Sequence, residues 1–390
     1  MAKILLVNFP AEGHVNPVLG MTKAWSDRGD EVHAITTIHY QERFERLGAK
    51  VHLHPDYIRT LKVSEGHPET MQTFFYAHLQ TTLDILAVVE TLAKRHQFDV
   101  VYYDMFGAGE LVRDYLNLPG IGSIPSFVLD EDHFGHHEPL FFLDEKTVHL
   151  LEELKNRFGV EPKHVMQFMQ NQGELNIVYT SSYFQPDVKG LNDSYVFIGP
   201  SFPKRMNQHT FPIEALENER VIYISMGTVL DDTEAFFNLC IDAFSSFEGK
   251  VVIATGEKVD MSQIKTAPAH VLIYPYVPQL EVLEHTDVFI THGGMNSVNE
   301  AIHYHVPMVI IPHDKDQPMV AKRLTELSAA MALDKDQLTA KQLRESTSTV
   351  LSNDTYQVAI QQIEESFREA GGTKEALRLI DEYIQEKQPH

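Results

Sequence analysis

The chain has 390 residues, 43% of them hydrophobic and 22% charged, which is enough apolar material for two full cores. Acidic residues outnumber basic ones by 55 to 32, a formal charge of −23. A field of that sign repels phosphate backbones and anionic lipid, and so argues against nucleic-acid binding. One cysteine, Cys240, excludes an intrachain disulfide; inside AFFNLCIDAF it reads as a core residue, and a cytoplasmic location fits. No run reaches the ~18 apolar residues of a membrane span, so no stable membrane insertion is expected.

The opening MAKILLVNF reads as a first strand, Lys3–Phe9, rather than as a signal peptide. Further strands are predicted at Glu31–Thr37, Lys50–His54, Asp99–Asp104, Ile121–Ser126 and Leu175–Thr180. Helical patterns lie between them at Pro17–Arg28, Met71–His96, Ala108–Leu116 and Glu145–Arg157. This βαβ grammar implies a parallel sheet covered on both faces. The proline-rich stretch Phe197–Arg220 reads as a linker. The rhythm then restarts with strands at Arg220–Ser225, Val251–Thr255, His270–Tyr274, Val288–Thr291 and Met308–Pro312. Helices follow at Glu234–Ser246, Asn296–His303 and Gln317–Ser328, and Thr339–Gln385 looks wholly helical. The fold class is therefore α/β, with two doubly wound parallel-sheet domains, whose ligands bind at the carboxyl ends of the strands.

Three strand-end loops carry candidate chemistry. In NFPAEGHVNP, Asn16 suits an N-cap and Pro17 a first helical position, which sets His14 just before a helix start. His14 is either a general base or a solvated loop histidine. Asp104 closes the strand DVVYYD, before MFGAGE; it either orients a histidine or serves as a buried structural carboxylate. In DVFITHGGMNSVNEAI, a buried strand runs into Gly293 and Gly294 and then a helix. Its small residues and free amides make an anion site, with Asn296, Ser297 and His292 close by. Glu300 lies one turn from Asn296 on the same helix face and suits a ribose diol. Gly227 and Thr228, in YISMGT, offer a second phosphate turn. The pattern matches neither the dinucleotide fingerprint nor an ATP P-loop.

Read at full length, YVPQLEVLEHTDVFITHGGMNSVNEAIHYHVPMVIIPHDKDQ, Tyr276–Gln317, resembles the donor signature of the UDP-glycosyltransferase superfamily. GHVNP near the start and SMGT after the linker match the same family in order, and NFPAEGHVNP looks closest to its bacterial macrolide-glycosyltransferase branch. The resemblance implies a GT-B fold, two Rossmann-like domains facing each other across a cleft. The expected boundaries are residues 1–203 for an acceptor domain, 204–218 for a linker and 219–370 for a UDP-sugar domain. Residues 371–390 form a helix packing back on the first domain. It implies stacking of uracil on Tyr276, main-chain contact at Val277, and ribose contacts from Gln279 and Glu300. His292, Gly294, Asn296, Ser297, Gly227 and Thr228 would hold the diphosphate, and Asp316 and Gln317 the sugar, with glucose favoured.

In this reading His14 is the base, Asp104 its partner, and the reaction a single displacement with inversion that domain closure assembles. UDP-sugar is a co-substrate, and no cofactor or metal is required. The acceptor is a small hydrophobic hydroxylated molecule, a flavonoid, phenol or macrolide, held by aromatics such as Phe106, Phe127 and Phe134. His133, His136 and His137 have no standard metal spacing. The competing readings are a sugar-nucleotide epimerase on the same scaffold and a non-enzymatic nucleotide-sugar-binding protein.

Overall fold

A computed structural model describes residues 1–58, 68–129, 144–202, 211–227 and 234–387. The chain divides into two compact units: Met1–Pro203 together with Phe367–His390, and Lys204–Ser366.

The first unit holds strands β1 (Lys3–Val7), β2 (Glu31–Thr36), β3 (Lys50–Leu53), β4 (Val100–Asp104), β5 (Gly120–Ile124), β6 (Leu175–Val178) and β7 (Tyr195–Phe197). They form one sheet in the order β3-β2-β1-β4-β5-β6-β7, parallel throughout. Its helices include α1 (Glu12–Arg28), α2 (Gln41–Arg46), α3 (Pro68–Ala93), α4 (Gly109–Leu116) and α5 (Glu145–Phe158). The period-2 alternation of each strand feeds two cores. Ile4, Leu6, Val32, Ala34 and Tyr102 pack with Trp25 of α1 on one face. Leu5, Val7, Ile35 and Tyr103 pack with Leu79 and Leu86 of α3 on the other.

The second unit holds β8 (Val221–Ser225), β9 (Lys250–Ala254), β10 (Val271–Tyr274), β11 (Val288–Thr291), β12 (Met308–Ile310) and β13 (Ala330–Ala332), in the order β10-β9-β8-β11-β12-β13. With it go α6 (Glu234–Phe244), α7 (Gln279–Leu283), α8 (Met295–His303), α9 (Gln317–Glu326), α10 (Ala340–Ser352) and α11 (Asp354–Glu369), the last running past the unit boundary. Helix α12 (Gly372–Lys387) returns to the first unit. Its Ala376, Ile380, Tyr383 and Ile384 enter the same core as Trp25. Each large apolar side chain so buried contributes about 1.5–3 kcal/mol.

In both sheets the strand order turns back between the first and fourth strands, β1 and β4 in one, β8 and β11 in the other. At such a switch point adjacent crossovers leave to opposite faces and open a crevice at the strands' carboxyl ends. Those ends carry Asn8 and Asp104 in the first unit, and Met226 and His292 in the second.

Several predicted elements are corrected. Helix α1 begins at Glu12 with Ala11 as N-cap, and Pro17 lies inside it. Asn16 does not cap: its side-chain oxygen accepts from Arg43 Nη1 at 3.2 Å. The C-terminal helical stretch is three helices, broken at Asn353 and around Gly371, whose φ of +85° ends a helix. Strands β7 and β13, three residues each, and helices α2 and α7 carry too short a pattern to be read from sequence. The stretch taken as linker supplies Phe197 to β7 and buries Leu216 in a short 3-10 turn.

Candidate active site

In the first unit a histidine and a buried carboxylate meet at the switch point. His14 Nδ1 lies 2.8 Å from Asp104 Oδ1. The same oxygen accepts from the Phe106 backbone N–H at 2.8 Å, and Asp104 Oδ2 is buried without a hydrogen-bond partner. A carboxylate accepts, so Nδ1 carries the proton and Nε2 the lone pair. Because α1 starts at Glu12, His14 sits in its first turn, and its backbone N–H donates to Ala11 O at 3.0 Å. The ring is held by Phe9 and Phe106, with centroids 4.9 and 4.8 Å away.

The loop after β4 is fastened by residues that sequence reasoning missed. Asn171 Nδ2 donates to Gly107 O at 2.8 Å and to Asp104 O at 3.3 Å. Glu110 accepts from Gln167 Nε2 and from the Gln172 backbone N–H, each at 2.6 Å. These bonds fix the backbone on either side of the carboxylate. No local motif marks them, since the partners are some 60 residues apart in sequence.

A small cavity opens beside this pair, lined by Asn8, Phe9, His54, Ile58, His78, Thr81 and Phe106 among others. His78, on α3, is buried with neither ring nitrogen hydrogen-bonded. It stacks on Phe9 and Phe168, and burial pushes its pKa down to about 3. His54 Nε2 and Asn8 Oδ1 are likewise buried without partners. Burial also lowers the His54 pKa, so both imidazoles are neutral at neutral pH. The lining is mostly aromatic and aliphatic, with unsatisfied neutral donors and acceptors set into it.

In the second unit the ring of His292 lies against two glycines. A Cβ on Gly227, whose φ is +74°, would stand 2.8 Å from His292 Cε1. One on Gly294 would stand 2.8 Å from His292 Nε2. Both glycines are therefore demanded by close approach, and Gly227 by its left-handed backbone as well. Burial, then the neighbouring charges of His313 and Lys315, lower the His292 pKa to about 4. The ring is neutral, a hydrogen-bonding group rather than a standing cation. Gly294 is the N-cap of α8 and supplies no side chain to cap it. A helix start of this kind, with its first-turn amides pointing outward, is suited to an anion.

Next to that helix start, Gln279 Nε2 donates to Glu300 Oε2 at 2.6 Å and lies 3.4 Å from Ser297 Oγ. Tyr223 OH, which sequence reasoning also missed, donates to Gln279 Oε1 at 3.0 Å and fixes its amide. Tyr223 is held in turn by stacking on Phe289, 4.7 Å between centroids. Tyr276 is 49% exposed just past β10, with Val277 buried beside it. An open aromatic face followed by paired polar groups suits a base and a ribose.

Asp316 is the N-cap of α9. Gln317, by contrast, is turned inward: its Oε1 accepts from the His313 N–H at 2.9 Å, and its Nε2 donates to Asp314 Oδ1 at 3.3 Å. Phe127 is fully buried, edge-on to Phe184, and belongs to the core rather than to the cavity wall. Phe106 does line the cavity. Thr228, Phe134, His133, His136 and His137 lie outside the described residues. Among the described residues no helix is long and apolar enough to cross a membrane.

A family model described as UDP-glucoronosyl and UDP-glucosyl transferase matches residues 195–368. The Bacillus subtilis (strain 168) protein described as "Uncharacterized UDP-glucosyltransferase YdhE" is 56% identical over 394 residues, covering 99% of this chain and 100% of that one. NDP-glycosyltransferase YjiC of the same organism is 30% identical over 392 residues, covering 98% and 97%. Among solved structures, that of CalG4, the calicheamicin glycosyltransferase, matches 100% of both chains with a TM-score of 0.83 at 24% identity, and it shows the fold to be GT-B. The chain belongs to the UDP-glycosyltransferase family, in its bacterial branch, and is a glycosyltransferase.

Proposed function

We propose that the protein transfers a hexose, glucose first, from a UDP-sugar to a hydroxyl of a small hydrophobic acceptor, a phenol, flavonoid or macrolide, with inversion at the anomeric carbon. The observation that carries this reading is the His14–Asp104 hydrogen bond, 2.8 Å long at the switch point of the first sheet. His14 Nε2 takes the proton of the acceptor hydroxyl, and Asp104 balances the imidazolium that forms. The acceptor oxygen forms the new bond to the anomeric carbon as the bond to the UDP oxygen breaks. The leaving electron pair ends on the diphosphate. The amides at the start of α8 and the His292 ring, with Gly227 and Gly294 making room, receive that charge.

In this proposal Tyr276 stacks on the base, Val277 meets it through the main chain, and Gln279 and Glu300 hold the ribose. Asp316 contacts the sugar, and Gln317 joins it once its amide turns outward from the loop that now holds it. No metal takes part in the transfer, because the α8 amides and the His292 ring supply the stabilisation that an ion would give. Dialysis against EDTA is expected to leave turnover intact, and its loss with recovery on adding zinc would overturn that part.

The test is mass spectrometry of an acceptor panel with UDP-glucose against other UDP- and TDP-sugars, with NMR of the product anomer. A β-glucoside from the α-linked donor is expected, and an α-glucoside would refute inversion. His14→Ala should abolish most turnover and spare UDP binding. Loss of UDP binding instead would mean that the base is misassigned. Conversion of UDP-glucose in the absence of any acceptor would favour an epimerase.

A further inference from the structure

A second group of chemistry-bearing side chains lies at the other end of the first sheet. Lys3 is in register with Glu31, and Val7 with Ile35. Glu31 is thus four residues, about 13 Å, back along the strands from the catalytic end. There Glu31 and His33 of β2, His52 of β3 and His96 just after α3 converge. His33 Nε2 lies 2.6 Å from Glu31 Oε1, and His33 Nδ1 lies 2.9 Å from His52 Nε2. His96 Nδ1 stands 4.0 Å from the same Glu31 oxygen, its ring centroid 4.5 Å from that of His33. One ligand atom from each of Glu31, His33 and His96 falls within 4.8 Å of the others.

We propose that Glu31, His33 and His96 bind a divalent transition-metal ion of the zinc class, with His52 setting the tautomer of His33. A gap of 4.0 Å is too long for a hydrogen bond, but two metal–ligand bonds of about 2.1 Å bridge it after a small rotation of the partly exposed His96 ring. Two imidazoles and one carboxylate favour zinc over magnesium or calcium, which prefer oxygen. Three protein ligands leave one position for water.

The tautomers accommodate the ion without net proton release. As drawn, Glu31 accepts from His33 Nε2–H, and His33 Nδ1 accepts from His52 Nε2–H. With the ion on His33 Nε2, the His33 proton moves to Nδ1 and is donated to His52 Nε2, while the His52 proton moves from Nε2 to Nδ1. That is the outer-shell hydrogen bond a ligating histidine needs. Two cations oppose the ion: Lys50 Nζ is 2.8 Å from Glu31 Oε1, and Lys3 Nζ is 3.5 Å from Oε2. Lys50 is exposed and free to withdraw, and its charge sets the affinity below that of a closed zinc site.

The test is isothermal titration of the full chain with zinc sulfate and, separately, magnesium chloride after chelator treatment, with cobalt(II) absorption as a second readout. Wild type should take up one zinc per chain more than His96→Gln or Glu31→Gln, and those variants should lose at least tenfold in affinity. Magnesium should not bind there. Lys50→Met should bind zinc more tightly, a gain that misfolding cannot mimic. Glycosyl transfer should be unchanged in all three variants. Equal zinc uptake by wild type and His96→Gln, no uptake by wild type, or no gain from Lys50→Met would each overturn the proposal.

Discussion

Replacing Asp104 by asparagine keeps the shape of the pair and removes its charge. The amide oxygen still accepts from His14 Nδ1–H and from the Phe106 N–H, so the ring stays in place. What is lost is the attraction between a carboxylate and the imidazolium formed in the transition state. The nearest atoms are 2.8 Å apart, and Asp104 is buried, with Oδ2 lacking a partner. With charge centres about 4 Å apart at an effective dielectric constant of ~20, that attraction is worth about 4 kcal/mol. The amide dipole restores about 1 kcal/mol of it. The remaining ~3 kcal/mol is roughly a hundredfold in kcat. The assay follows UDP release with a series of phenols of falling pKa, alongside UDP affinity by titration calorimetry. The deficit should be largest for weakly acidic phenols and shrink for phenols already ionised at the assay pH, because these need no base. Retention of kcat within threefold on a weakly acidic phenol, or an equal loss across the series, would refute the assignment.

Glu300→Gln removes a charged acceptor from the Gln279 pair and should raise the donor KM about tenfold with little change in kcat; an unchanged KM would remove Glu300 from the ribose site. His78→Phe deletes two buried, unpartnered nitrogens in a similar volume. It should raise Tm by a few degrees, from relief of about 1–3 kcal/mol, and should lower kcat/KM for polyhydroxylated acceptors more than for monophenols. A lower Tm would contradict the account of the cavity. His78 also sets an acid limit. Its folded pKa of about 3 lies below the ordinary 6.5, so between those values the unfolded chain binds the proton and the folded chain does not. Its contribution is complete above pH 6.5 and falls by about 1.4 kcal/mol per pH unit below it. Wild type should therefore lose Tm more steeply than His78→Phe between pH 6.5 and 4, and parallel curves would show that His78 is not the titrating group.

The polar cluster of the second unit was legible because its chemistry is local. One strand, one turn and one helix place His292, Gly294, Asn296, Ser297 and Glu300 within nine residues, and their order carries the geometry. The cavity in the first unit was not, because Asn8, His54, His78 and Phe106 converge from four separate segments. His78 sits in a long apolar helix, where its sequence neighbourhood resembles any buried histidine. Residue chemistry alone left His14 and Asp104 as open alternatives and only the family resemblance paired them; the fold sets β1 beside β4 and the two side chains 2.8 Å apart. The start of α1 was misread for a physical reason: Pro17 and Asn16 are strong boundary signals, yet Asn16 is drawn to Arg43.

The return of α12 to the first unit has a consequence for synthesis. Val18, Trp25 and Tyr102 share a core with Ile380 and Ile384, more than 350 residues from the first of them. A ribosome adding about 5–20 residues per second exposes Lys204–Ser366 in full before that core can close. The unit begun first is finished last, and for roughly 10 to 40 seconds its nascent sheet lacks one of its covering helices. A holding chaperone, if one is needed, would be expected to engage the Trp25 face of the growing chain in that interval.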